Sequence, residues 1–278
     1  VIVVTGATGN TGRTLLQELV AAGEQVTAVS RGVSGLDTSV GVRHVQADLI
    51  KPDSLKPALD GAEALYLMIS GDWVSAGGNP GVVLDLLDAA RAGGVRRVVF
   101  LSSQGVATNR HPSDLEDAIK EAGLEWTMLR PGGFDSNTFL WAAMVRAQRV
   151  VTAPFGHVAL PTIDPADIGK VAAVALREHG HGGNIYELTG PTPISPRQQA
   201  MAIGDALGEP VRFVKQSREE ARAQMVRFMP EPIVERTLDI LGTPSAAERR
   251  VSPDVERILG RPPRSFAEWA ARNIAAFK

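Results

Sequence analysis

Val1-Ile2-Val3-Val4-Thr5 runs directly into Gly6-Ala7-Thr8-Gly9-Asn10-Thr11-Gly12, and the segment that follows, Gly12 to Ala22, carries Leu15, Leu16, Leu19 and Val20 at helical spacing. A β-branched strand, a glycine-rich turn and an amphipathic helix in that order leave few folds open. Gly6 permits a tight turn, Gly9 lets the backbone approach a pyrophosphate, and Gly12 lets the helix pack close to the strand. The start of the helix offers amides without intrahelical partners to phosphate oxygens, and Thr8, Asn10 and Thr11 add side-chain donors. The plain alternative is a structural turn.

The same rhythm continues. Gln25 to Ser30, Arg43 to Gln46, Ala64 to Ile69, Arg97 to Ser102 and Glu125 to Arg130 read as further strands, separated by helical stretches such as Val82 to Ala92. Near-continuous apolar character in such runs fits parallel strands covered on both faces. Ser113-Asp114-Leu115-Glu116 has the form of a capping box. Beyond residue 150 the pattern loosens, with helices announced by Asp164-Pro165, Ser195-Pro196 and Ser252-Pro253. Asn184 to Leu188 and Val211 to Val214 look like strands, one of which can return to the main sheet. The fold class expected is α/β: a doubly wound parallel sheet over residues 1–155, with a smaller α+β domain over 156–278.

With 29 basic against 31 acidic residues in 278, the formal charge is -2, which gives no basic face for duplex nucleic acid. The absence of cysteine excludes disulfides, thiolate zinc sites and cysteine nucleophiles and suits a reducing compartment. No apolar run reaches the roughly 18 to 20 residues of a membrane span and no leader precedes the first strand, so a cytoplasmic protein is expected, as monomer or homodimer. No acidic or histidine cluster has metal-ligand spacing, and a Gly-x-Ser-x-Gly elbow is missing.

Strand two ends at Ser30-Arg31, where an acidic residue would favour NAD(H). Arginine suits a 2′-phosphate and hence NADP(H), with NAD(H) and an exposed surface arginine as alternatives. Asp48 and Leu49, after strand three, either border an adenine or form a turn.

Thr5 to Gly12, Val99-Phe100-Leu101-Ser102-Ser103, Trp126-Thr127-Met128-Leu129-Arg130-Pro131-Gly132-Gly133-Phe134 and Asp164-Pro165-Ala166-Asp167-Ile168 together resemble the NmrA-like family of atypical short-chain dehydrogenases. The tail from Gly260 to Phe266 and on to Trp269 is similar to that family's closing helix. The resemblance implies a Rossmann sheet and a small C-terminal domain. It also implies that Gly6, Thr8, Gly9, Asn10, Thr11 and Arg31 hold the adenosine and pyrophosphate. Ile69, Ser70, Ser102 and Ser103 would then flank the ribose and nicotinamide, and Pro131, Gly132 and Phe134 the nicotinamide face. Members of the family include quinone reductases, redox-sensing regulators and tailoring enzymes.

Short-chain dehydrogenases that reduce carbonyls use a tyrosine followed four residues later by a lysine. Neither Tyr66 nor Tyr186 has that spacing, and Gln104 to Pro112 contains neither residue type. Ser103 and His111 are the remaining polar candidates in this region, with a bystander loop histidine as the alternative. Lys120 reads as the solvent-facing ion-pair partner of Glu116, and His179 to Gly183 as a mobile surface turn. Trp73, Phe134, Phe139, Trp141 and Met144 are candidates for an apolar substrate wall, or else core. Gly71 to Gly81 and Arg222 to Leu241 are candidate lids. The expected activity is an NAD(P)(H)-dependent oxidoreductase acting on a quinone-like or polycyclic aromatic molecule. An aromatic-polyketide monooxygenase and a non-catalytic redox sensor with a protein partner are the alternatives.

Overall fold

The computed structural model describes residues 1–32, 41–70, 73 and 78–278. In chain order the first half contains β1 (Ile2–Thr5), α1 (Asn10–Ala21), β2 (Val26–Ser30), β3 (Val42–Gln46), a 3₁₀ turn (Pro52–Leu55) leading into α2 (Lys56–Leu59), and β4 (Ala64–Met68). It continues with α3 (Pro80–Gly93), β5 (Arg97–Leu101), α4 (Gln104–Ala107), α5 (Asp114–Glu121) and β6 (Glu125–Pro131). A 3₁₀ segment (Asp135–Trp141), α6 (Ala142–Gln148), β7 (Val150–Ala153), α7 (Pro165–Arg177), β8 (Asn184–Leu188), α8 (Pro196–Leu207) and β9 (Arg212–Lys215) follow. The chain closes with α9 (Arg218–Met225), α10 (Glu231–Gly242), α11 (Ala246–Arg249), α12 (Asp254–Leu259) and α13 (Phe266–Arg272). Among the described residues no helix is long and apolar enough to cross a membrane.

Seven strands form one sheet in the order β3-β2-β1-β4-β5-β6-β8, and the pairs from β3 to β6 are parallel. The winding reverses between β1 and β4, the crevice at which α/β sheets bind ligands. One face packs Val3, Leu65, Leu67, Val98, Phe100 and Met128 against Leu86 and Leu87 of α3 and Leu55 and Leu59 beside it. On the other face lie α1 and α7, tied by Lys170–Glu18 at 3.0 Å and Arg177–Glu24 at 3.1 Å. Side chains alternate along a strand, which is why both faces of these runs are apolar.

The chain divides into two units. One comprises Val1–Pro131, Pro165–Glu187 and Arg257–Leu259; the other comprises Gly132–Asp164, Leu188–Glu256 and Gly260–Lys278. The division is therefore interleaved, in place of a single cut after residue 155. The physical reason is that α7 and β8 complete the first sheet from later in the sequence. Of the two candidate returning strands, Asn184–Leu188 is the seventh strand, whereas β9 pairs with β7 in a separate two-stranded parallel sheet.

Distant segments build the second unit. Phe139 lies 5.0 Å from Trp269 and 6.0 Å from Phe277 between ring centroids, and Trp141 packs on the same cluster. Asp164, buried, pairs with Arg264 at 3.6 Å and with Arg272. Arg218 and Arg222 bridge α9 to Glu231, Glu235 and Asp239 of α10, over a small core of Ala221, Val234 and Leu238. The 222–241 segment thus carries its own packed core.

Three local readings change. Ser113 donates to Asp117 at 2.7 Å and makes no cap bond, because Glu116 is drawn into the interior. Helix α12 begins at Asp254 with Pro253 at its N-cap, one residue later than expected. The 179–183 turn is anchored: Thr127 donates to the His181 carbonyl at 2.8 Å, and the His181 ring meets the Tyr186 hydroxyl at 2.9 Å.

Thr5, almost fully buried, donates through Oγ1 to the Tyr66 carbonyl at 3.0 Å and accepts from the Met68 amide at 2.8 Å. These bonds extend the β1–β4 contact beyond the backbone register that ends at Val4 and Tyr66. Replacing Thr5 by Val keeps the shape and leaves the half-buried Met68 N–H and the Tyr66 carbonyl without this partner, so Thr5→Val is expected to cost about 1–3 kcal/mol in urea unfolding. A cost below about 0.3 kcal/mol would show that the hydroxyl does not hold the two strands.

Candidate cofactor and active site

The turn after β1 has the backbone its glycines foretold. Gly6 sits at φ +62, and a side chain there would strike Met68. A Cβ at Gly12 would overlap the Gly6 carbonyl oxygen and lie 2.9 Å from the Ala7 Cα, so α1 starts in direct contact with the turn. Gly9 is the N-cap, no side chain caps the helix, and its first turn contains no acidic residue. A helix start of this kind presents N–H groups and the positive end of the helix dipole to an anion. Arg13, which the motif alone did not single out, donates from Nε to the Thr8 carbonyl at 2.9 Å and fixes the loop from behind. These residues fit the pyrophosphate of a dinucleotide.

Arg31 follows β2, exposed, with its carbonyl accepting from Gln46 Nε2 at 2.9 Å. Asp48 makes a turn of its own: its Oδ1 accepts from the Ile50 amide at 3.3 Å and its amide donates to Ser54 Oγ at 3.0 Å. Leu49 and Ile69 are half-buried against the core, and the Ser70 carbonyl accepts from the Trp73 amide at 3.0 Å.

The end of β5 holds a buried polar network. Ser102 donates to Glu116 Oε1 at 2.5 Å, and Arg130 grips both carboxylate oxygens, Nε to Oε1 at 2.9 Å and Nη2 to Oε2 at 2.6 Å. Lys120 stands 3.8 Å from Oε2. Glu116 is 1% exposed, so the expected ion pair with Lys120 is present but is not solvent-facing, and a buried bidentate pair with Arg130 joins it. Burial by itself would push the Glu116 carboxyl up; hydrogen bonds from Arg130 and Ser102 and the nearby cationic charge outweigh it and hold the carboxyl below its usual range. The Arg130 guanidinium is raised in turn, chiefly by its bonds to Glu116. Neither local pattern nor helix spacing pointed to this pair; the one signal was a lone arginine inside the apolar run of β6.

Ser103 caps α4, accepting from the Gly105 amide at 3.0 Å. The His111 amide donates to the Gly105 carbonyl at 2.9 Å, and its ring lies so close that a Cβ on Gly105 would sit 2.6 Å from Nδ1. Gly105 therefore carries both polar candidates on one short turn. Both tyrosines are committed elsewhere. Tyr66 is fully buried, its hydroxyl has no hydrogen-bond partner among the described residues, and burial raises its phenol well above the ordinary value; Tyr186 is buried against His181.

The expected apolar wall does not survive as a set. Trp73 is buried in the core of the first unit, and Phe139 and Trp141 belong to the aromatic core of the second. Met144 is exposed, its sulfur accepting from Thr152 at 3.4 Å. Large aromatic rings gain most by full burial, which is why the core claims them. Pro131 ends β6 buried, the Gly132 amide donates to the Leu188 carbonyl at 3.0 Å, and half-buried Phe134 bridges to Ile163. Within the candidate lid at 71–81, residues 71, 72 and 74–77 lie outside the described residues.

A 3-2-1-4-5-6 parallel sheet with a glycine turn at its switch point defines a Rossmann dinucleotide-binding protein. The chain belongs to the NAD(P)H-binding family, whose pattern it matches over residues 6–179. It is 33% identical over 286 residues to (4-alkanoyl-5-oxo-2,5-dihydrofuran-3-yl)methyl phosphate reductase of Streptomyces griseus, covering 99% of each chain. It is 30% identical over 288 residues to the NAD(P)H azoreductase of Xenophilus azovorans, again over 99% of each. In fold it is similar to NADPH-dependent quinone oxidoreductase from Escherichia coli complexed with NADPH (TM-score 0.81, 24% identity, 98% and 99% of the two chains). NmrA, a negative transcriptional regulator solved with NAD, shares the fold at a TM-score of 0.77 and 19% identity, over 99% and 95% of the two chains. The cofactor is NAD(P)(H), and the chain is an NAD(P)H-dependent oxidoreductase.

Glu116→Gln keeps the shape and removes the charge that holds Arg130, so a loss of about 2–3 kcal/mol is expected at pH 7. Because the folded carboxyl is held low, its contribution is complete above the unfolded value near 4.5 and fades as pH falls through the folded one. The gap between wild type and variant should therefore narrow below about pH 4.5 in urea titrations. A gap that stays constant or widens as the pH is lowered through and below about 4.5 would overturn this sign.

Proposed function

We propose that the chain uses NADPH to reduce a conjugated, electron-poor acceptor of quinone-like or extended aromatic type, with Ser103 and His111 orienting the acceptor oxygen. The observation that carries this reading is the turn after β5, which bears Ser103 and His111 about Gly105 while both tyrosines are buried elsewhere. Bound NADPH supplies a hydride. When a quinone accepts it, one carbonyl oxygen becomes an aryl oxyanion that takes its proton from water, so a strong protein acid is dispensable. The hydroxyl and imidazole on the turn supply hydrogen bonds where that negative charge grows.

The relatives support the acceptor class. An azo group, a quinone and a 4-alkanoyl-5-oxo-2,5-dihydrofuran, the groups named for them, are all conjugated acceptors. Arg31 supports the preference for NADPH, since a guanidinium can grip a 2′-phosphate through paired hydrogen bonds.

Anaerobic oxidation of NADPH with 1,4-naphthoquinone, followed by nicotinamide absorbance, should show quinone-dependent turnover, and Ser103→Ala with His111→Ala should lower kcat by about ten- to a hundredfold. Tight NADPH binding without turnover, or turnover only with stoichiometric oxygen uptake, would overturn the reading. Arg31→Ala should raise KM for NADPH by about tenfold or more while changing that for NADH less than about threefold. Equal effects on both nucleotides would remove the 2′-phosphate assignment.

A further inference from the structure

The second unit contains a cavity of about 520 Å³, none of whose lining residues is among the cofactor-site candidates. Its apolar walls come from Phe155, which follows β7, and Phe213 of β9. Its cationic groups are Arg197, Lys215 and Arg218, with the His157 imidazole beside them, and none of the residues lining it is acidic. Arg218 is committed to Glu235 and Asp239. By contrast Arg197 lies over the Phe213 ring at 4.9 Å, and among the described residues neither it nor Lys215 nor His157 has an acidic partner.

The walls are held in place at a conformational cost. Phe155 has φ +51, in the left-handed region that a bulky residue rarely adopts. Its ring packs with Ala221, Val234 and Leu238. Next to it, a Cβ at Gly156 would lie 2.5 Å from the Phe213 ring, so that ring sits directly on the backbone. The Gly156 carbonyl in turn accepts from the Arg197 amide at 3.2 Å, which ties the backbone at Arg197 to the apolar floor. Strain of this kind, in a residue lining a cavity, is where a binding surface is expected.

We infer that this cavity is a binding site for a small organic anion: a carboxylate or phosphate on a flat apolar body, the body between Phe155 and Phe213 and the anionic group between Arg197 and Lys215. The volume falls within the range of small-molecule sites, roughly 300 to 1,000 Å³. An apolar floor with unpaired cations at its rim suits neither a neutral hydrocarbon nor a bare inorganic anion. The inference does not depend on the reductase reading.

The test is calorimetric titration of the full chain, saturated with NADP+ so that the cofactor's phosphate sites are filled. The probes are 1-naphthyl phosphate, 1-naphthoate, neutral 1-naphthol and inorganic phosphate. The expected result is that one or both naphthyl anions bind at least tenfold more tightly than naphthol and inorganic phosphate, and that Arg197→Ala/Lys215→Ala weakens the anions by at least tenfold while leaving naphthol unchanged. The phosphate and carboxylate arms then identify the preferred headgroup. Unaltered NADP+ affinity of the double variant shows that it is folded. Phe155→Ala, scored the same way, should weaken both anions and naphthol. Equal binding of anions and naphthol, anion binding insensitive to the double substitution, or no binding of either naphthyl anion would overturn the inference.

Discussion

The contact of the first helix with the turn that precedes it governs the architecture of the first unit. Gly12 rests on the Gly6 carbonyl, so α1 can start at the very end of β1 and point its amides into the crevice. That contact is useful only if the ends of β1 and β4 are held together where the sheet changes direction. Thr5 does this with one hydroxyl, accepting and donating at once. Helix α7 then covers α1, with Gly169 against the backbone of Thr11 and Leu15, so the phosphate-facing helix is supported from behind. A dinucleotide is gripped through backbone groups, and backbone groups bind well only when they cannot move.

Much of the first unit was legible because its strands are short runs of Val, Ile and Leu bounded by glycine, and parallel burial makes both faces apolar. The glycine turn was legible because its chemistry and its sterics make the same demand. The capping box at Ser113 was not, although the local pattern was complete. A capping glutamate contributes about as much as any helix cap, roughly 1 kcal/mol, whereas Glu116 gains a bidentate guanidinium and a serine hydroxyl by turning inward. Arg130, 14 residues away, supplies that alternative, and no short-range pattern contains it.

The aromatic residues mark the same limit. Trp73, Phe139 and Trp141 follow strand ends, where a ligand would also be sought, yet two packed cores take them. The partners of Phe139 are Trp269 and Phe277, more than a hundred residues later, and those of Asp164 are Arg264 and Arg272. The aromatic core of the second unit is assembled from such pairings, so local periodicity says little about which face is inside there. Similarly, nothing in the order Ser103, Gly105, His111 announces that a glycine carries the other two; it takes the fold to bring the imidazole onto that backbone.

On the proposed reading, the arrangement at the end of β5 lets a short-chain-dehydrogenase fold act on a conjugated acceptor without its usual acid. A tyrosine–lysine pair is needed where hydride addition leaves an alkoxide, a base too strong to form without a proton delivered in the same step. A conjugated acceptor spreads the charge, and the demand falls to hydrogen bonds that position and stabilise. The buried pair of Glu116 and Arg130 serves that need indirectly. It fixes Ser102 and with it the chain direction into Ser103, so the turn bearing His111 leaves the sheet from a rigid base. Charge buried in such a pair contributes little net stability, but it specifies one geometry, and a fixed geometry is what positioning without acid catalysis requires.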